Sequence, residues 1–173
     1  MNDPATTTPG LTDEGKRFIN FDNQTFQWVS IKLFGLSGQD LDDRTVLARL
    51  IADRRYRDSY GGTGDEDMET IHGPFQLAAI TVDSFVPTQA AAEIATLEEW
   101  AQKYAPLPET VAEQVETEVY QRLRDATSRY RLENPGEDQF HEWGFAIGNN
   151  GFHELVVIDR AAGSVALIVA SDD

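Results

Sequence analysis

The chain has 173 residues, a formal net charge of −16 and no cysteine. That length is enough for one domain with its own core, and the lack of cysteine excludes disulfides, thiolate metal sites and a cysteine nucleophile. Hydrophobic residues are 40% and aromatics 10%, a globular composition, and no apolar run approaches the ~20 residues of a membrane span.

The charge is unevenly placed. Residues 1–57 hold eight acids and eight bases, whereas residues 58–173 hold 22 acids and six bases. Such a field repels nucleic acid and anionic membrane and attracts basic partners. The plain reading is solubility. The functional reading is an acidic face for a basic protein.

In chain order, residues 1–17 are polar and bear Thr, Pro and Gly, so they read as a flexible arm. They have no basic start and no apolar stretch, which argues against a secretory signal and for a cytoplasmic protein. Residues 18–173 are expected to form a single domain. From Thr25 to Phe34 the chain is β-branched and aromatic, which predicts a strand apolar on both faces.

A helix is predicted from Asp42 or Asp43 to Tyr56, with Leu47, Leu50, Ile51 and Arg54 on one face and Val46 at its edge. Its acids at the start and arginines at the end suit the helix dipole. Arg44, Arg49, Arg54, Arg55 and Arg57 are explained by that placement better than by nucleic-acid binding.

Tyr60–Glu69 is rich in glycine and then acidic. No Lys-Ser or Lys-Thr follows the glycines, so it is no phosphate cradle, and the EF-hand spacing is absent. Asp65, Glu66, Asp67 and Glu69 are candidate partner contacts on a solvated loop. His72, before Gly-Pro, reads as a surface loop residue.

Phe75–Phe85 predicts a second strand region. Thr88 is expected to cap a helix running to Tyr104, with Ile94, Leu97, Trp100 or Ala101, and Tyr104 in its stripe. A third helix starts at Pro108 and ends by Glu133, with Val111, Val115, Val119 or Tyr120, and Leu123 facing inward. Glu109, Glu113 and Glu116 lie off that stripe and are further candidate partner contacts.

Trp143–Ile147, Phe152–Asp159 and Ser164–Ala170 predict a three-stranded meander. The expected fold class is therefore α+β: a mostly antiparallel sheet with a C-terminal meander and about three helices packed on one face.

Two of the three histidines each precede a glutamate, at His141-Glu142 and His153-Glu154. These four residues are the catalytic candidates for an acid–base or small-molecule pocket. A two-residue turn at Asn149-Asn150 sends His141 and His153 to opposite sheet faces, which argues against a shared metal. Neither an HExxH nor a G-x-S-x-G motif is present, so no metal and no cofactor are expected. Glu154 is the odd residue. It shares a face with Trp143, Phe145, Ile147, Val156 and Ile158, where a carboxylate is costly unless it is paired or protonated.

Trp100-Ala-Gln-Lys-Tyr-Ala-Pro-Leu-Pro108, then Phe152-His-Glu and the terminal Ser-Asp-Asp173, resemble a set of uncharacterised small acidic bacterial proteins over about residues 70–173. The late Gly-turn hairpin is similar to that of the SMI1/KNR4 superfamily. Many bacterial members of that superfamily are immunity proteins that neutralise toxins. The chain departs from that pattern, because no Asn-Gly-Gly turn follows its early helix, and no site residues are carried over. The charge, the apolar aromatic core and the lack of a catalytic motif point to an interaction protein more than an enzyme, with a basic protein as partner, and the resemblance adds an immunity-like or inhibitory role. A His/Glu pocket, or an acidic surface that mimics nucleic acid, are the alternatives.

Overall fold

The computed structural model describes residues 9–37, 40–61, 69–148 and 151–173. A six-stranded antiparallel sheet has the order β1-β2-β8-β7-β6-β5, and a two-stranded β3-β4 hairpin lies beside it. The strands are β1 (Leu11–Asn20), β2 (Gln27–Leu36), β3 (Ile71–His72), β4 (Phe75–Gln76), β5 (Phe85–Pro87), β6 (Ser128–Leu132), β7 (His153–Asp159) and β8 (Ser164–Asp172). The helices are α1 (Asp43–Ala52), α2 (Ala90–Ala101), α3 (Glu109–Val115) and α4 (Gln121–Asp125). The fold class is α+β, and β6, β7 and β8 form the C-terminal meander. Among the described residues, no helix is long and apolar enough to cross a membrane.

The helices do not share one face, as the sequence had suggested. Leu155, Val157 and Ile168 pack with α2, α3 and α4 through Leu97, Trp100, Val111 and Leu123. Val156, Ile158 and Leu167 pack with α1 through Val46, Leu47 and Leu50. β7 and β8 are apolar at successive positions, so both of their faces must be covered. Each fully buried aliphatic side chain contributes roughly 1.5–3 kcal/mol through loss of water contact. One-sided cover would forfeit half of these contributions.

Several boundaries also move. The supposed arm of residues 1–17 is in part strand: Leu11–Asn20 pairs with β2 from Leu11↔Leu36 to Asn20↔Trp28. Residues 1–8 of that arm lie outside the described residues. β1 is an edge strand with most of its side chains in water, so it has no apolar alternation to read.

The first helix stops at Ala52, not Tyr56. The Asp53 side chain accepts from the Arg55 N–H at 2.9 Å and starts a separate turn, Arg54–Tyr56. Asp42 caps the front of α1, accepting from the Thr45 N–H at 2.8 Å.

Only the ends of Phe75–Phe85 are strand. Two tight turns, Leu77–Ala79 and Val82–Ser84, fill the middle, the second closed by the Thr81 N–H donating to Ser84 Oγ at 3.0 Å. Thr88 does not cap α2. Its hydroxyl donates instead to Glu93 at 2.6 Å, and Gln89 precedes the helix.

α3 and α4 are joined by a π turn at Glu116–Tyr120. The extra residue turns both Val119 and Tyr120 inward, where a regular helix would have favoured one. The helix then ends at Asp125, and residues 128–132 of the predicted third helix are β6.

Trp143–Ile147 is not a strand. Gly144–Ala146 is a tight turn, and Trp143 and Phe145 stand out in solvent. Gly144 is buried against the β3-β4 connection, where a Cβ would fall 2.2 Å from the Pro74 carbonyl oxygen. Gly144→Ala is therefore expected to cost about 1–3 kcal/mol by pushing the two segments apart. The measurement is a urea titration, with a lower midpoint at unchanged slope. A wild-type midpoint would show that the loop moves freely.

Candidate functional site

Glu154 is the residue on which the site turns. β7 places it on the α1 side of the sheet between Lys32 of β2 and the β3-β4 hairpin, and it is 1% exposed. Its register is the one that a four-residue turn imposes, with Asp159 opposite Ser164 and Glu154 opposite Val169. Its neighbours are not Trp143 and Phe145. Glu154 Oε2 accepts from the Tyr56 hydroxyl at 2.9 Å, and Oε1 meets His72 Nε2 in a short contact.

His72 is no surface residue: its exposure is 0%. Its Nδ1 lies 2.5 Å from the Tyr56 carbonyl oxygen. A carbonyl can only accept, so Nδ1 carries a hydrogen. Nε2, the other ring nitrogen, faces the Glu154 carboxyl group. The His72 ring also stacks on Tyr56, with centroids 3.8 Å apart and planes 1° from parallel. Burial, then the Glu154 carboxylate, push the Tyr56 hydroxyl well above its ordinary value, so it stays a donor.

Tyr60 lies beyond this trio, edge-on to His72 at 5.5 Å. Lys32 sits over its ring at 4.8 Å and pairs with Asp58 at 2.8 Å. Burial lowers the Lys32 ammonium against the raising effect of Asp58. Burial opposes the Asp58 charge too, but Lys32 outweighs it and holds the carboxyl below its usual range.

On the outer side of Tyr60, at the β1-β2 end of this face, a pocket of about 490 Å³ opens, and no helix residue is among the described residues that line it. Phe18, Trp28 and Tyr60 form a stack of three rings, with centroids 5.8 and 5.7 Å apart. Trp28 Nε1 donates to Asp173 at 3.0 Å. Phe18 and Phe26 are 55% and 71% exposed at the mouth, near Lys16, Asp22 and Asp173.

The β1-β2 connection explains the shape of this mouth. Asn20 accepts from the Asp22 N–H at 2.9 Å, and Asn23 accepts from the Thr25 hydroxyl at 2.6 Å. These side-chain turns hold Asp22, Gln24 and Phe26 at φ 51°, 67° and 60°. With Tyr60 at 55°, all four non-glycine residues of positive φ in the described chain line this one pocket. Such conformations cost energy and concentrate where a fold serves a ligand.

The other candidates do not gather here. His153 points to the opposite face, with its ring 5.9 Å from Trp100. His141 lies against the β3-β4 hairpin, with Nε2 2.8 Å from the Gly73 carbonyl, and Glu142 is exposed. The two histidines are thus held apart, but not by the hairpin first inferred from Asn149-Asn150. Those two residues are outside the described set, as are Asp65, Glu66 and Asp67. Glu69, Glu109 and Glu113 are exposed, while Glu116 is engaged by Arg124. Among the described residues, no group of three or more His, Asp or Glu side chains is placed to hold a metal.

Sequence reasoning missed Tyr56, His72, Tyr60 and the pocket mouth. Phe21-Asp-Asn-Gln-Thr-Phe26 was the available signal, a turn composition between two strands. Residues 11–17 carry no strand pattern, so nothing local marks that turn as the bend of a hairpin.

No family model and no curated protein sequence matches the chain. A crystal structure of citrus MAF1 is similar over 88% of this chain and 93% of that chain, at 15% identity and a TM-score of 0.39. Those values are too low to establish a common fold.

Proposed function

We propose that the chain is a non-enzymatic, cytoplasmic binding protein, immunity-like or inhibitory, whose partner is a basic protein. The observation that carries this reading is the pairing of a net charge of −16 with a pocket at the sheet edge, where exposed Phe18 and Phe26 stand beside Asp22 and Asp173. Exposed aromatics supply the anchors of a protein interface, and surrounding like charge steers an oppositely charged partner. Glu69, Glu109 and Glu113 add to that field from further along the surface.

The enzyme reading finds less support. His72 and Glu154 have no exposed side-chain surface to offer a substrate. His141, Glu142 and His153 lie on separate parts of the molecule.

The test is a pull-down from native lysate at low and high salt. A stoichiometric partner of high isoelectric point is expected at low salt, with its yield falling as salt rises. Recovery of only acidic or neutral partners would overturn the proposal.

A further inference from the structure

We infer that the β1-β2 pocket receives an arginine side chain of the basic partner, with the guanidinium between Phe26 and the carboxylates of Asp22 and Asp173. This rests on the basic-partner reading above. The pocket already pairs rings with cations twice from its own chain. Lys32 lies over Tyr60 at 4.8 Å, and Lys16 over Phe18 at 5.9 Å. Phe26 is the most exposed large apolar residue described, and no lysine or arginine of the described chain lies over it.

The carboxylates beside Phe26 are likewise open. Asp22 is exposed and makes no side-chain ion pair among the described residues. Asp173 uses Oδ1 to hold Trp28 and leaves Oδ2 for a second donor. A flat ring and two carboxylates suit a planar cation with several N–H donors. Guanidinium meets that description better than a point-like ammonium.

Phe26 gives the sharpest handle. It holds φ 60°, which glycine adopts without strain. Phe26→Gly should therefore raise Tm while removing the ring that the guanidinium needs. A purely structural turn would gain stability and lose nothing.

The experiment titrates the full chain with hexa-arginine and with its neutral isostere hexa-citrulline, read by calorimetry and by the Trp28 indole N–H signal. The expected result is that hexa-arginine binds and shifts the Trp28 signal, and that hexa-citrulline does neither. Phe26→Gly should then bind about tenfold more weakly despite its higher Tm. Asp22→Asn, which keeps the left-handed turn, should weaken binding several-fold.

Hexa-arginine binding that leaves Trp28 unmoved and Phe26→Gly unaffected overturns the pocket assignment and leaves the basic-partner reading intact. Equal binding of arginine and citrulline peptides overturns the charge argument for the pocket. No binding of hexa-arginine at low salt counts against both.

Discussion

Glu154→Leu lowers stability by about 3–5 kcal/mol, because it leaves the His72 ring and the Tyr56 hydroxyl buried with nothing to meet them. For a chain of this length that is roughly 10 °C in Tm. His72→Leu alone should cost a similar amount, since the carboxylate is then buried with only Tyr56 as donor. The informative variant combines the two with Tyr56→Phe. Replacing a whole buried polar network by apolar groups of similar size is often neutral, so the triple variant should recover more than half of the single-variant loss. Urea titrations give all the values. If Glu154→Leu costs under about 1 kcal/mol, or the losses simply add, the three side chains are not energetically coupled.

Mild acid weakens the fold through His153. Burial presses this imidazole down from 6.5 to about 4; Arg131 across the strand adds to that, while Glu93 and Asp172 oppose it. Glu99 of α2 and Lys103, just beyond its end, line the groove beside it. A folded-state value below the unfolded one means that the unfolded chain binds more protons between the two. Stability is then complete above about 6.5 and falls as the pH drops towards 4. The ring is partly exposed, so solvent reduces the effect to roughly 1–3 kcal/mol.

The buried Glu93 carboxylate acts at lower pH. Burial raises it, but hydrogen bonds from Arg131 and Thr88 prevail and hold it below 4.5, so its contribution is lost only as pH falls past that range. Unfolding titrations at pH 7, 6 and 5 separate the two groups. His153→Gln should flatten the profile across this range. A variant that loses as much stability as the parent between pH 7 and 5 would remove His153 as the cause.

What local pattern could reveal, it revealed well. The predicted stripes of α1, α2 and α3 are buried at Leu47, Leu50, Leu97, Trp100, Val111 and Val115, while Arg54 and Tyr104, beyond the ends of α1 and α2, are exposed. The β7-β8 register follows from counting across a four-residue turn. Period-two alternation within β7 alone puts Glu154 on the face of Val156 and Ile158, where it lies. Local pattern misled wherever tertiary context sets the state. β1 and β6 are half-solvated strands whose polar sequences carry no alternation, and only their pairing partners make them strands. Trp143–Ile147 has strand composition, yet Gly144 sits so close to the Pro74 carbonyl that the segment turns instead.

The sequence by itself determined the fold class, the helix faces, the concentration of negative charge after residue 57 and the awkward position of Glu154. These depend on composition and on periodicities within one element. Only the tertiary structure decided what Glu154 meets. His72 and Tyr56 are 82 and 98 residues away in the chain, and no local spacing encodes such a contact. The same holds for the pocket. Phe18, Phe26 and Trp28 come from the β1-β2 hairpin, Tyr60 from the segment after α1, and Asp173 from beyond β8. Sheet order, set by burial of two apolar faces at once, brings those segments to one edge.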